Sequence, residues 1–164
     1  MEKTERLIEK LLGRLARLEA VDAIKQLKAT YFLACDTKQP ALMRDCFVEG
    51  EVNIDYGPVG RFSDRDQLVA LFTEQGCHDY MLEMHHGHNP IINLVDEHQA
   101  SGSWELCYQL INTRDKTLTQ LALIYRDQYC LTDKGWKIQT TVTENVSTLA
   151  FDISSDSPVV LQGG

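Results

Sequence analysis

Three of the five histidines in this chain fall within one short segment, Met84-His85-His86-Gly87-His88-Asn89-Pro90. Imidazole is the side chain whose ordinary pKa, about 6.5, suits it to take up and release a proton near neutrality, so the cluster marks the place to look for acid/base chemistry. Far upstream, Tyr31-Phe32-Leu33-Ala34-Cys35-Asp36 closes an amphipathic helical pattern with a phenol and a carboxylate. A carboxylate that accepts a hydrogen bond from one ring nitrogen fixes a histidine's tautomer and stabilises its imidazolium. A phenol can donate to a carbonyl oxygen on which charge develops. A base, a phenol and an acid are therefore expected to converge. Strand alternation leaves open which histidine takes part: His86 and His88 share a face with Ile92 and Leu94 unless a bulge at Pro90 shifts the register.

A metal reading is weaker. His86-Gly87-His88 would put two imidazoles on one strand face, but such sites want a carboxylate three or four residues later, and the first acid after His88 is Asp96, at a turn. No metal and no cofactor are expected. The five cysteines, Cys35, Cys46, Cys77, Cys107 and Cys130, are an odd set without a C-x-x-C pair, which suggests neither a zinc ribbon nor a disulfide framework. Cys35 has no neighbouring histidine to activate it.

The elements that must position these residues follow from periodicity. Leu7, Ile8, Leu11, Leu12, Leu15, Leu18, Val21, Ile24, Leu27 and Tyr31 recur at three-and-four spacing and read as one stripe along a helix of about 30 residues, punctuated at Gly13. At 1.5 Å per residue such a helix spans roughly 45 Å, more than a domain this size can bury, so its first half is expected to pack on a partner subunit. Asp36 to Pro40 breaks the pattern, and 41–47 reads as a second helix. Residues 52–55 and 57–62 read as a hairpin, and Ser63-Asp64-Arg65-Asp66 as the start of a third helix ending at Gln75. Beyond Gly76, four runs rich in Ile, Leu, Val, Thr, Tyr and Trp, at 81–95, 99–112, 117–132 and 135–152, are separated by polar turns. Helices first and an antiparallel meander second make an α+β fold, a single domain over 1–152 with an extended helix at 1–16 and a loose tail at 153–164.

Composition sets the outer bounds. A chain of 164 residues, 43% hydrophobic and 24% charged, suits one globular domain with a real core. The net charge of -8 argues against a nucleic-acid surface, since the basic residues are mostly confined to the first helix. No apolar run approaches the roughly 20 residues needed to span a bilayer, so no membrane partner is expected, and the unpaired cysteine set makes reduced thiols and a cytoplasmic location the default expectation.

With these motifs in order, the chain resembles the SnoaL-like branch of the nuclear transport factor 2-like superfamily over residues 17–151. The resemblance rests on Tyr31 to Asp36, Phe47, Ile54-Asp55-Tyr56, His85-x-x-x-Asn89-Pro90-x-Ile92, Ala100-x-Gly102-x-Trp104 and Gly135-Trp136-Lys137-Ile138. It implies a cone-shaped, strongly curved antiparallel sheet (an α+β barrel), with helices closing a deep pocket. It further implies His85 as the proton carrier, Asp36 as its orienting acid, and Tyr31 and Tyr56 as phenols that hold a carbonyl. His88, Asn89 and Trp104 are expected substrate contacts, although Trp104 also reads as sheet packing and Asn89-Pro90 as a bend.

The chain departs from scytalone dehydratase, which has a tyrosine at the position of Cys35 and a second histidine where an ungapped count here reaches Leu110. Unlike bile-acid 7α-dehydratase, its following strand offers only Glu105 as an acid. The expected function is cofactor-independent acid/base chemistry, dehydration or isomerisation, on a small hydrophobic cyclic molecule, in a homo-oligomer, dimer or trimer. The alternative is a non-catalytic ligand-binding or dimerisation module of the same fold.

Overall fold

A computed structural model describes residues 2–154. The expected loose tail therefore lies outside the described residues from 155 onward.

The chain opens with α1 (Glu2–Asp36), followed by α2 (Pro40–Asp45), β1 (Glu51–Asp55), a 3-10 turn (Gly57–Val59), β2 (Arg61–Asp64) and α3 (Arg65–Gln75). Four long strands complete it: β3 (Met81–Leu94), β4 (Gln99–Asn112), β5 (Thr117–Thr132) and β6 (Gly135–Asp152). The expected hairpin over 52–62 needs correction at its second arm. Pro58 has no N–H to give a ladder, and Gly57 and Gly60 take φ of 56° and 143°, so the chain makes a tight turn there before β2 begins.

Helix α1 runs unbroken through Gly13, contrary to the expected punctuation. A glycine inside a helix costs about 1 kcal/mol relative to alanine, which neighbouring Leu, Glu, Lys and Arg residues can carry. The single apolar stripe is also corrected. Ile24, Lys28, Tyr31 and Cys35 are buried against the domain, while Leu7, Ile8, Leu11, Leu12, Leu15 and Leu18 are each at least half exposed. At about 100° per residue these two sets point in nearly opposite directions.

The helix stops in a Schellman-type cap. Lys38 takes φ 56°, its N–H donates to the Cys35 carbonyl, and the Gln39 N–H donates to that of Ala34. This ties down the last turn, which carries Asp36.

The six strands form one curved sheet in the order β2-β1-β6-β5-β4-β3. It is not closed, since β2 and β3 remain as edges. The pairs β3–β4, β4–β5 and β5–β6 are antiparallel, as expected of a meander, but β1 joins β6 in parallel through Asn53, Ile54 and Asp55. Register shifts interrupt the ladders at His88/Ile91, Ala122/Leu123 and Gln128/Tyr129, and bulges of this kind bend a strand and raise its twist. The sheet thereby wraps around the second half of α1.

The first of these shifts resolves the face of the histidines. Between His88, opposite Glu105, and Ile91, opposite Ser103, β3 carries two residues, Asn89 and Pro90, against Trp104 alone. Asn89 adopts φ 49° there. Glu83, His85 and Gly87 therefore face inward before the bulge and Ile92 and Leu94 after it. Gly87 lets α1 approach this closely: a Cβ at that position would collide with the Phe32 ring.

The core is largely aliphatic and aromatic, centred on Ile24, Phe47, Ile54, Leu106, Tyr129 and Ile138. It also holds an ion pair. Lys28 and Asp127 have fully buried side chains, with Nζ 2.7 Å from Oδ2, although this contact of charges lacks good hydrogen-bond geometry. Asp127 also accepts from Tyr129 Oη at 2.6 Å and from Thr141 Oγ1 at 2.7 Å, and Trp104 Nε1 donates to Tyr129 Oη at 2.9 Å.

Candidate active site

A cavity of about 580 Å³ opens between the concave face of the sheet and helices α1 and α3. Its walls are mostly apolar, with Leu68, Phe72, Leu106 and Leu123 among them; Tyr31, Tyr56, Glu83, His85, Tyr108 and Tyr125 carry most of its chemistry, and Gln75, Thr143, Asn145 and Thr148 complete the polar lining. A volume in this range suits an enclosed small molecule.

Asp36 and His85 meet across 49 residues of sequence. The Asp36 carboxylate accepts from His85 Nδ1 at 2.6 Å, and both its oxygens lie 3.1 Å from the backbone N–H of His85. The helix end is thus joined to the strand by main chain and side chain together. A carboxylate only accepts, so Nδ1 carries the ring proton and Nε2 keeps its lone pair for the cavity. The ring is further fixed by Phe32, stacked at 5.7 Å between centroids, and by Tyr108, tilted against it at 4.7 Å.

Tyr31 from α1 and Tyr56 from the end of β1 place their hydroxyls 2.7 Å apart. One must donate to the other, so one O–H of the pair is not used between them; Tyr125 adjoins Tyr31 and Thr141 adjoins Tyr56 in the same hydroxyl cluster. Both phenols are pushed up by burial; for Tyr31 the neighbouring Tyr56 adds to the effect, whereas the bond to Tyr31 partly opposes it in Tyr56. They are neutral donors at physiological pH. Tyr125 lies behind this pair, its ring 3.7 Å beneath the Lys28 ammonium.

Three expected contacts are corrected. His88 and Asn89 are exposed, His88 by strand alternation and Asn89 because it lies in the bulge, and the Asn89 amide donates to exposed Glu105 at 2.7 Å. Trp104 is buried in the core with its indole N–H committed to Tyr129. His86 is likewise exposed, its ring 6.1 Å from that of His88. Among the described residues no three His, Cys, Asp or Glu side chains gather as a metal-binding set.

Sequence reasoning missed Glu83, Tyr108 and Tyr125. Glu83 pairs with Lys38, the residue of the α1 cap, and lies close enough to Tyr108 to help raise its phenol, though burial is the larger cause. Two signals were available: Glu83 is two residues from His85 on one strand face, and Tyr108 is the register partner of His85 on β4.

The buried thiols and phenols yield a prediction. Burial raises the Cys46 thiol from 9.0 to about 11 and also raises Cys35, Tyr31, Tyr56, Tyr125 and Tyr129. These groups hold their protons more tightly folded than unfolded. Their contribution to stability is complete below the unfolded values and is lost as pH rises through 9.0 toward about 11. The urea midpoint should hold level up to pH 9 and then fall steeply; a midpoint flat to pH 11 contradicts the burial of these groups.

Comparison with known proteins adds three findings. The profile of the SnoaL-like domain matches residues 16–142. Among solved structures, the fold is similar to a Novosphingobium aromaticivorans protein provisionally assigned as a scytalone dehydratase, at 21% identity and a TM-score of 0.74, covering 88% of this chain and 96% of that one. It is also similar to hexachlorocyclohexane dehydrochlorinase LinA-type3 from Novosphingobium barchaimii, at 14% identity and a TM-score of 0.75, covering 89% and 98%. At these identities the likeness establishes the fold.

Proposed function

The chain belongs to the SnoaL-like domain family, and from that premise we propose that it is a cofactor-independent acid/base enzyme, a dehydratase or isomerase acting on a small cyclic hydrophobic ketone. The observation that carries this reading is the His85–Asp36 pair, whose free ring edge faces an apolar cavity beside two neutral phenols. The names of the compared structures, a dehydratase and a dehydrochlorinase, agree with elimination chemistry.

His85 Nε2 takes a proton from the carbon next to the carbonyl. The C–H electron pair moves toward the carbonyl oxygen, where the free O–H of the Tyr31–Tyr56 pair meets the developing charge. In dehydration the electrons return to form the C=C bond as the β-carbon loses its hydroxyl, and the imidazolium proton completes the departing water. In isomerisation the same proton returns to the carbon skeleton at a different position. Asp36 holds the imidazolium in place throughout. The apolar walls exclude water, which strengthens each of these interactions. Steroid-, polyketide- and terpenoid-like rings fit such walls.

The test is a panel of cyclic β-hydroxy ketones and β,γ-unsaturated ketones followed by NMR in deuterated water. Conversion to the conjugated enone is the expected result, with the α-proton lost to water in dehydration and the transferred hydrogen found at the γ-carbon in isomerisation. Saturable binding without conversion across the panel marks the cavity as a carrier site instead.

The phenol pair makes a separate prediction. Tyr31→Phe or Tyr56→Phe leaves one hydroxyl free to reach the substrate, so each should lower kcat only about 10-fold. The double variant removes both hydroxyls of the pair and should lose roughly 1,000-fold, well beyond the ~100-fold product of the single losses. Losses that multiply independently argue against a shared role.

A further inference from the structure

The exposed half of α1 carries information that the cavity does not use. Leu7, Ile8, Leu11, Leu12 and Leu15 are each half or more exposed, and so is Leu18, which adjoins Ile92–Leu94 at the end of β3. Their spacing is heptad-like: Ile8 and Leu15 occupy a positions, Leu11 and Leu18 d positions, and Leu7 and Leu12 broaden the seam at g and e. We propose that this seam is the interface for a second copy of the same chain, joined as a parallel two-stranded coiled coil over the first half of α1.

Charge selects the orientation. In a parallel pair, each g residue faces the e residue five places on in the other helix, so Arg14 meets Glu19 twice and Leu7 meets Leu12 twice. In the antiparallel register that engages all four core positions, g faces g and e faces e. Arg14 would then meet Arg14, and Glu5 would meet Glu19, on both sides. Like charges penalise that alternative, and leucine at both d positions with Ile8 at the first a position is the two-stranded pattern in that turn.

Geometry permits the parallel form. The seam lies roughly 160° around the helix from Ile24, Lys28, Tyr31 and Cys35, so the two domains would flank the coil on opposite sides. The next a position after Leu15 is Asp22, exposed, where like charges end the seam; the opposite face of α1 packs against the core from Ala20 onward. Six half-exposed large side chains per helix give an interface on the order of 1,000 Å², enough for a specific association.

Full-length protein should have twice the chain mass by sedimentation equilibrium. Leu11→Glu with Leu15→Glu should reduce it to one chain mass with near-UV circular dichroism unchanged, since both side chains are exposed. Arg14→Glu should weaken the dimer at least 10-fold, and adding Glu19→Arg should restore it. Leu18→Cys should cross-link to its own copy under mild oxidation, while the parent protein does not. A mass other than twice the chain, a dimer that survives the double glutamate change, or cross-linking only between Ile8→Cys and Leu18→Cys copies overturns the proposal. So does a full chain that dimerises only after residues 155–164 are removed, which would make that tail the occupant of the seam.

Discussion

Replacing His85 with alanine is expected to lower turnover of a ketone substrate about 1,000-fold, within the range that general acid/base catalysis contributes, while the fold persists. Asp36→Asn should cost about 100-fold or more for a different reason. An asparagine can still accept from the His85 backbone N–H, so the helix and strand stay joined. Its amide, however, presents N–H to Nδ1, which moves the ring proton to Nε2 and removes the base. Asp36→Ala should lose the tether as well, and its melting temperature should fall where that of Asp36→Asn does not. Steady-state kinetics and thermal unfolding on the three variants separate these effects. Unchanged kcat in both His85→Ala and Asp36→Asn removes the dyad from the chemistry.

The second large effect concerns stability. Asp127→Ala leaves the Lys28 ammonium buried without its counter-charge and takes the acceptor from Tyr129 and Thr141. Losing one partner of a buried pair typically costs about 3–5 kcal/mol, which for a chain of this size is a fall in Tm of roughly 10 °C. Lys28→Met should be milder, about 1–3 kcal/mol, because Asp127 keeps two hydroxyl donors. Burial pushes the Lys28 ammonium down, and Asp127 only partly offsets this. A neutral double variant, Lys28→Met with Asp127→Asn, should therefore be more stable than Asp127→Asn alone. Urea unfolding of the parent, Lys28→Met, Asp127→Asn and their double variant closes the cycle; strictly additive losses mean the pair is not coupled.

Much of the framework was legible because its signals are local. The strands at 99–112, 117–132 and 135–152 end where the sequence reading put them, since tight polar turns punctuate long β-branched and aromatic runs. The resemblance pointed to His85 and Asp36, and the structure brings them together. What stayed hidden depends on registers that no short window contains. The parallel insertion of β1 beside β6 is one case. Lys28 is another: a lysine among Ile24 and Tyr31 on the buried helix face reads as a flaw in an apolar stripe until Asp127 is known to lie opposite. The two faces of α1 were merged into one because three-and-four spacing drifts slowly around a long helix.

The bulge at Asn89-Pro90 carries a consequence for how this protein can be altered. On β3 it acts as a change of reading frame: inward positions are odd-numbered up to Gly87 and even-numbered from Ile92 onward. Deleting either bulge residue would force one half of the strand to invert. If the second half holds, His86 turns toward the cavity and His85 toward solvent; if the first half holds, Ile92 and Leu94 leave the core. At Asn89, whose φ of 49° suits asparagine or glycine, other side chains would be strained at that one residue, whereas a change of length there would be felt along half the strand.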